Sequence, residues 1–271
     1  MPILSAPDPT TDTVRSLYVR AIAALNTANV PFLVGGTHAL SHYTGISRNT
    51  KDFDIFVRRS DFESVMEVLA QSGFRTELTY PHWLGKATSE EGFVDVIFSS
   101  GNGISAVDDE WFEHAADGFA FGVPVKLSPA EEMVWSKAFV MERERFDGAD
   151  VMHLLLARAE QFDWARLVRR FGPHWRVLLA HLCLFGFIYP SERHRIPAWI
   201  MRGLMGRLDH EMRVETPLER IVNGTLVSRE QYLHDIESLG FKDARLTEAS
   251  AMTDSDIEAW TQAISGGRPG S

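Results

Sequence analysis

The stretch LVGGTHALSHYTGISRNTKDFDIFV, residues 33–57, contains the pattern that decides the fold. The apolar run before Gly35 and Gly36 predicts a short buried strand that ends in a tight turn. The next segment, THALSHYTG, predicts a short helix that ends at Gly45. A strand, a glycine turn and a helix are therefore expected to follow one another directly.

The segment KDFDIFV predicts a second strand, and this strand carries two acids. Phe53, Ile55 and Val57 lie on one face and Asp52 and Asp54 on the other, because successive side chains of a strand alternate. Two carboxylates that share a face repel each other unless a cation neutralises them. The pattern therefore predicts a chemical function for the acidic face of this strand.

The rest of the chain separates into an α/β part and a helical part. Strand and helix patterns alternate in the first part, and the remainder is almost entirely helical. The predicted fold class is α+β: a mixed sheet flanked by helices, followed by a helical C-terminal module. The predicted divisions are an α/β domain, a helical domain and two flexible tails, namely residues 13–128, 129–262, 1–12 and 265–271.

The composition indicates a cytoplasmic globular protein. The 271 residues are 45% hydrophobic, which is enough for a sizeable core, and no apolar run is expected to cross a membrane. The N-terminus lacks a secretory signal pattern, and Cys183 is the only cysteine, so no intrachain disulfide is expected. The net charge of −10 argues against a protein that coats nucleic acid, but not against a local basic patch.

A third acid, Asp95, lies in the predicted strand FVDVIF. Its neighbours Val94 and Val96 face away from it, and an unpaired acid on a largely apolar strand is costly. If this strand lies beside KDFDIFV, Asp95 converges with Asp52 and Asp54. Mg²⁺ prefers such oxygen ligands, and two metal ions would suit phosphoryl transfer.

The glycine turn predicts a phosphate site next to these acids. Gly35, Gly36 and Thr37 expose backbone N–H groups at the start of a helix, where anions bind readily. The hydroxyl of Thr37 provides a further donor to a phosphate oxygen. The acids would then hold a metal, and the turn would hold the phosphates that the metal also contacts.

GGT, KDFDIFV and FVDVIF, in this order, resemble the signature of the DNA polymerase beta-like nucleotidyltransferase superfamily. The match covers about residues 30–100 and extends more loosely through LSPAEEMVWSKAFVMERERFDGADVMHLL. There the chain is similar to stand-alone bacterial nucleotidyltransferases, including those of toxin–antitoxin systems and those that modify aminoglycosides. It departs from compact members in the longer spacing from Gly36 to Asp52, and the residues of its helical half after Asp163 do not identify an acceptor-binding domain.

The resemblance implies a nucleotidyltransferase-type sheet and an enzyme that moves a nucleoside monophosphate from an NTP to a hydroxyl, with release of pyrophosphate. Mg²⁺ or Mn²⁺ is the implied cofactor. The implied catalytic and metal-binding residues are Asp52, Asp54 and Asp95. The implied nucleotide-binding residues are Gly35, Gly36, Thr37 and Lys137, and the supporting candidates are Lys51, Lys86, Arg145 and Asp150.

Several of these residues also have ordinary structural interpretations. A lysine on an amphipathic helix, such as Lys137, usually extends into water, and Lys86 fits an exposed hairpin lysine that is also placed to reach a phosphate. Asp150 is suited to pair with Lys137. The only dense basic stretch, RLVRRFGPHWR, is by default a solvated helix face, but it is also the best candidate for holding an RNA acceptor.

Two classes of function stay open from the sequence. One is the enzyme, whose acceptor is the 3′ end of a tRNA, a small molecule such as an aminoglycoside, or a protein side chain. The alternative is a non-catalytic binding protein of the same fold, such as an antitoxin with a partner protein. The intact set of three acids favours the enzyme. No membrane is expected among the partners.

Overall fold

A computed structural model of the chain describes residues 9–48, 50, 52–247, 250 and 252–265. The chain divides into two compact units. The first unit comprises the residues up to His42, Ile46–Ser99 and Ala106–Ser128. The second unit comprises Tyr43–Gly45, Ser100–Ser105 and the residues from Pro129 onward. The predicted boundary between residues 128 and 129 concerned domains, that is, segments that fold independently, and it stays a prediction.

The N-terminal part of the chain combines helices with short strands. The helices are α1 (Pro9–Ala28), α2 (Gly36–Thr44), α3 (Phe62–Gln71) and α4 (Asp109–Glu113). The strands are β1 (Leu33–Val34), β2 (Asp54–Phe56), β3 (Arg75–Tyr80), β4 (Leu84–Ser89), β5 (Gly92–Ile97), β6 (Ala116–Ala120) and β7 (Val123–Leu127). Helix α1 includes residues 9–12 of the predicted tail, and residues 1–8 lie outside the described residues.

Within the described residues, seven strands form one mixed sheet in the order β3-β4-β5-β2-β1-β7-β6. β2 pairs with β5 and β1 pairs with β7 in parallel, and the other neighbouring strands are antiparallel. This sheet and its helices confirm the predicted fold class. Strand β6 was not predicted, because its sequence ADGFA contains Asp117 and Gly118, residue types that are depleted in strands.

The apolar face of β2 fixes the direction in which the acids point. Phe53, Ile55 and Val57 have no exposed surface, and neither do Leu25 of α1 and Leu69 of α3. Burial of each such side chain stabilises the fold by about 1.5–3 kcal/mol. A shift of one residue in register would exchange these side chains for the acids, so the core determines which face carries Asp52 and Asp54.

The C-terminal part of the chain is mostly helical. Its helices are α5 (Ala130–Ala138), α6 (Gly148–Arg158), α7 (Trp164–Phe171), α8 (Trp175–Ile188), α9 (Ala198–Glu211), α10 (Leu233–Glu237) and α11 (Asp254–Ser265). A break was predicted near FDGAD, residues 146–150, and the interruption between α5 and α6 ends within this segment, where α6 begins at Gly148. Two short parallel strands that were not predicted, β8 (Ile221–Val222) and β9 (Lys242–Asp243), also occur here. Of the predicted tail 265–271, Ser265 belongs to α11, and residues 266–271 lie outside the described residues.

One helical run differs from the expectation that no segment could cross a membrane. Trp164–Ile188, 25 residues long, is long and apolar enough by length and composition. About 39% of its most apolar window is buried inside the protein. This is weak evidence for a membrane span, because the core helix of a soluble protein passes the same test.

Candidate active site

Two acids from neighbouring strands lie side by side in the sheet. Asp54 of β2 and Asp95 of β5 are partners in the parallel register. The backbone N–H of Asp95 donates a hydrogen bond of 2.9 Å to the carbonyl oxygen of Phe53. Val94 and Val96, on either side of Asp95, are fully buried. Because register partners project from the same face, both carboxylates lie on the face of the sheet opposite these valines.

Asp52 comes just before β2 and is exposed. Its backbone N–H donates to the hydroxyl oxygen of Thr50 at 3.1 Å, which holds the turn into the strand. The pKa of the buried Tyr18 side chain shows that this side chain lies near the acids. Burial, together with the negative charges of Asp52, Asp54 and Asp95, raises the pKa of Tyr18 to about 12. The phenol of Tyr18 on α1 is therefore close enough to interact electrostatically with all three acids. The sequence indicated only that this residue lies on a helix.

Lys86 of β4 binds one of these acids directly. It is the antiparallel register partner of Asp95, and its Nζ lies 2.6 Å from Asp95 Oδ1. Burial raises the pKa of the Asp95 carboxyl, the hydrogen bond and charge of Lys86 act in the opposite direction, and the charge of Asp52 adds to the rise. The sequence predicted that Lys86 could reach a phosphate, whereas in the structure its ammonium binds the carboxylate of Asp95.

The glycine turn contacts the same acids. The N–H of Gly35 donates to the carbonyl oxygen of Asp54 at 3.0 Å, and α2 begins at Gly36. Gly36 has φ +52°, and a Cβ at this position would lie 1.8 Å from Asp54 Oδ2. A Cβ at Gly35 would lie 2.2 Å from the ring of Phe56. Only glycines allow this approach, and it puts the start of α2, with Thr37 in its first turn, against the Asp54 carboxylate.

The donor set of this site suits a hard cation. Asp54 and Asp95 offer adjacent carboxylates, Asp52 lies two residues before Asp54, and oxygen is the ligand that Mg²⁺ and Mn²⁺ prefer. In the described part of the chain, no group of three or more His, Cys, Asp or Glu side chains is already arranged to hold a metal ion. The ammonium of Lys86 instead provides a positive charge at Asp95. The structure brings together the carboxylates of Asp54 and Asp95, and a divalent cation held there would share Asp95 with a lysine.

The remaining candidates form a separate cluster in the second unit. Lys137 Nζ lies 2.9 Å from Asp150 Oδ2 and 3.0 Å from Asp147 Oδ2, and Arg145 makes two hydrogen bonds of 2.9 Å to Asp147. Lys137 is 17% exposed, so it is not the freely solvated lysine of the ordinary interpretation. Sequence reasoning anticipated the pair with Asp150 but missed Asp147. Lys51 lies outside the described residues.

Two arginines of the basic stretch RLVRRFGPHWR form buried ion pairs. Arg166, with 4% of its side chain exposed, pairs with Glu131 and Glu132, and Arg170 also pairs with Glu132. Arg176 is paired with Glu211. Buried arginines whose charges are already paired cannot offer them to a phosphate backbone. Arg166 and Arg170 are therefore poor candidates for the RNA-binding face that the sequence left open. Arg169 and Arg176 are exposed, and that role stays a prediction for them.

Comparison with solved structures gives distant likenesses. The antibiotic-resistance factor ANT(2″)-Ia is 19% identical with a TM-score of 0.44, covering 63% of this chain and 95% of that chain. The lincomycin-bound lincosamide antibiotic adenylyltransferase LnuA is 15% identical with a TM-score of 0.37, covering 52% and 94%. An antigenic nucleotidyltransferase-like protein from Paracoccidioides brasiliensis is 15% identical with a TM-score of 0.41, covering 68% and 92%.

Neither a protein-family model nor a curated protein matches the sequence. The chain is thus similar to solved nucleotidyltransferases and nucleotidyltransferase-like proteins at low identity. At that distance, the roles of its residues have to be argued from its own geometry.

Proposed function

We propose that this chain is a nucleotidyltransferase, which transfers a nucleoside monophosphate from an NTP to a hydroxyl group. The observation that supports this most strongly is the contact between Gly36 and Asp54, next to Asp95. It combines backbone N–H groups at a helix start with a pair of carboxylates. The first feature suits phosphate binding, and the second suits the metal ion that accompanies a triphosphate.

In this reaction the acceptor oxygen attacks the α-phosphorus of the NTP. A bond forms between these two atoms, the bond from the α-phosphorus to the bridging oxygen breaks, and pyrophosphate leaves with the electron pair. The proton of the hydroxyl passes to Asp95, at the carboxylate oxygen that Lys86 does not contact. Burial raises the pKa of Asp95, which makes it a stronger base than an exposed aspartate.

The turn and the acids have distinct tasks. The N–H groups at the start of α2 and the hydroxyl of Thr37 hold phosphate oxygens and orient the triphosphate for in-line attack. Asp52, Asp54 and Asp95 would hold Mg²⁺ or Mn²⁺. When bound, the metal offsets the charge of the phosphates and lowers the pKa of the attacking hydroxyl.

Lys137 is a proposed partner of the triphosphate only by resemblance. Its ammonium already contacts Asp147 and Asp150 within the second unit. Two carboxylates exceed its single positive charge, and Arg145 supplies part of the balance at Asp147. The cluster holds the Lys137 ammonium between the carboxylates of Asp147 and Asp150.

Label transfer tests the proposed function and identifies the acceptor. The protein is incubated with each α-labelled NTP, Mg²⁺ or Mn²⁺, and total RNA or a cell extract, and the labelled product is isolated. Wild type should label one class of acceptor: RNA, a small molecule or a protein.

The Asp54→Asn variant serves as the matched control for this assay. It should lose at least about 100-fold in rate, because metal binding and charge stabilisation are lost together. Its melting temperature should not fall, since one of several mutually repelling charges becomes neutral. Equal transfer rates of wild type and Asp54→Asn would show that this site does not catalyse the reaction. No transfer by wild type with any NTP or acceptor would favour a non-catalytic binding protein.

A further inference from the structure

Lys86 lies in a row of charged residues that crosses four neighbouring strands. Its register partner on β5 is Asp95, whose own partner on β2 is Asp54. On its other side, on β3, its partner is the exposed Glu77. Side chains in one row project from the same face of a sheet. Lys86 therefore stands between a peripheral acid and the acids of the candidate active site.

The contacts of Lys86 hold its charge at Asp95. The distance from Nζ to Asp95 Oδ1 is 2.6 Å, and Nζ lies 4.2 Å from the centroid of the Phe93 ring. The side chains of Lys86 and Asp95 are 28% and 15% exposed. A partly desolvated ammonium with a carboxylate and an aromatic ring as partners differs from an ordinary hairpin lysine, whose charge is in water.

We propose that Lys86 is a resident cation of the acidic site, which neutralises Asp95 in the metal-free protein and competes there with the divalent metal. The proposal rests on the proposed function in so far as it takes Asp95 as a metal ligand. Lys86 is then a positioning residue: it touches neither phosphate nor acceptor, but sets how tightly the acids hold their metal.

The charges around Asp95 determine the direction of the effect. Without Lys86, Asp95 would lose the ammonium at 2.6 Å that offsets its repulsion with the charge of Asp52. A metal ion bound to Asp95 would lie within a few ångströms of the ammonium, and the two positive charges repel each other. Even with the screening of water, Coulomb's law at such a separation corresponds to about tenfold or more in metal affinity.

Mn²⁺ binding by the full-length chain tests this inference without nucleotide or acceptor. In Lys86→Met the aliphatic stem is kept and the charge is removed. Mn²⁺ affinity, measured by the electron paramagnetic resonance signal of free Mn²⁺, should rise about tenfold. The melting temperature without metal should fall, and saturating Mn²⁺ should raise it by more than it raises that of wild type.

Two further variants separate competition from a purely structural role. Lys86→Arg keeps the charge and should bind Mn²⁺ about as wild type does. Lys126→Met removes the charge of another cross-strand pair in the same sheet, with Asp117 at 2.7 Å, which is well exposed and lies on the other side of β2 from Lys86. This control should leave Mn²⁺ affinity unchanged.

Equal Mn²⁺ affinity in wild type and Lys86→Met, or weaker binding in the variant, would overturn the inference, and so would an absence of Mn²⁺ binding in both. If wild type transfers nucleotide and these affinities are equal, the proposed function stands and Lys86 is structural. If wild type transfers nothing but Lys86→Met binds Mn²⁺ more tightly, competition at Asp95 stands and the proposed function fails.

Discussion

Replacing Gly36 with alanine tests whether the glycine turn and the acid beside it act together. Gly36 has φ +52°, a conformation that costs an L-residue about 1–2 kcal/mol. With about 2–4 °C per kcal/mol for a protein of this size, the melting temperature should fall by roughly 2–8 °C. That cost is small beside a typical stability of about 5–15 kcal/mol, so the variant should fold.

The effect on chemistry should be much larger than the effect on stability. The new Cβ would lie 1.8 Å from Asp54 Oδ2, whereas ordinary contact begins near 3.4 Å, so that oxygen would have to move by about 1.6 Å. A carboxylate at the end of a short side chain can turn aside, which preserves the fold but displaces the acid. Because a displacement of about 1 Å at a reacting centre can cost about 100-fold, we expect the transfer rate to fall by at least that factor.

Gly73→Ala is the matched control for backbone strain. Gly73 also has a positive φ, +89°, but a Cβ there would meet nothing within 4 Å. Both variants should melt below wild type, and only Gly36→Ala should lose label transfer and NTP affinity. If the two variants transferred nucleotide at the same rate, the close approach of Gly36 to Asp54 would have no catalytic meaning, and the reasoning would be refuted.

Two further predictions concern charged clusters of the second unit. Glu132→Gln removes the fully buried charged partner of Arg166 and should lower the free energy of unfolding in urea by about 3–5 kcal/mol. The control Glu63→Gln, at an exposed pair, should leave the unfolding midpoint unchanged. Equal effects of the two substitutions would contradict the argument from burial. Burial alone would raise the pKa of Asp147, but the hydrogen bonds and charges of Arg145 and Lys137 lower it. The ionised Asp147 therefore stabilises the fold above the unfolded-state pKa of about 3.9, and this stabilisation is lost as the pH falls through the lower pKa of the folded state. Arg145→Ala should therefore be less stable than wild type at pH 7, with a difference that shrinks below about pH 4, and a difference independent of pH would contradict this.

The sequence predicted the acidic face of the sheet because that face is the complement of a strong apolar pattern. The buried positions of β2 and β5 leave Asp54 and Asp95 only one direction in which to point. The glycines at the start of α2 were equally predictable from the sequence, since a strand that turns directly into a helix requires unusual backbone angles. Local alternation and turn chemistry were enough for these features.

What the sequence missed depends on register between distant segments. The pair of Lys86 with Asp95 is decided by how β4 aligns with β5, and a shift of one residue would put the lysine on the other face. The partners of Arg166 lie on α5, more than thirty residues earlier, so the dense basic stretch gave no sign that this arginine is buried in an ion pair. Tyr18 carried no signal beyond helical spacing, because its role depends on what α1 packs against.

The energetics of the acidic face argue that it was not assembled for stability alone. A strand with neutral residues at positions 52 and 54 would avoid charge repulsion, and a turn without a positive φ would avoid backbone strain. The fold instead places Gly36 so close to Asp54 that no side chain fits, sets Asp95 beside Asp54, and supplies Lys86 as a counter-charge. Lys86 limits the repulsion at Asp95. Negative charge that is concentrated next to helix N–H groups favours a ligand with both positive and negative charge: the cation binds the carboxylates and the anion binds the turn. A metal–triphosphate complex has that composition.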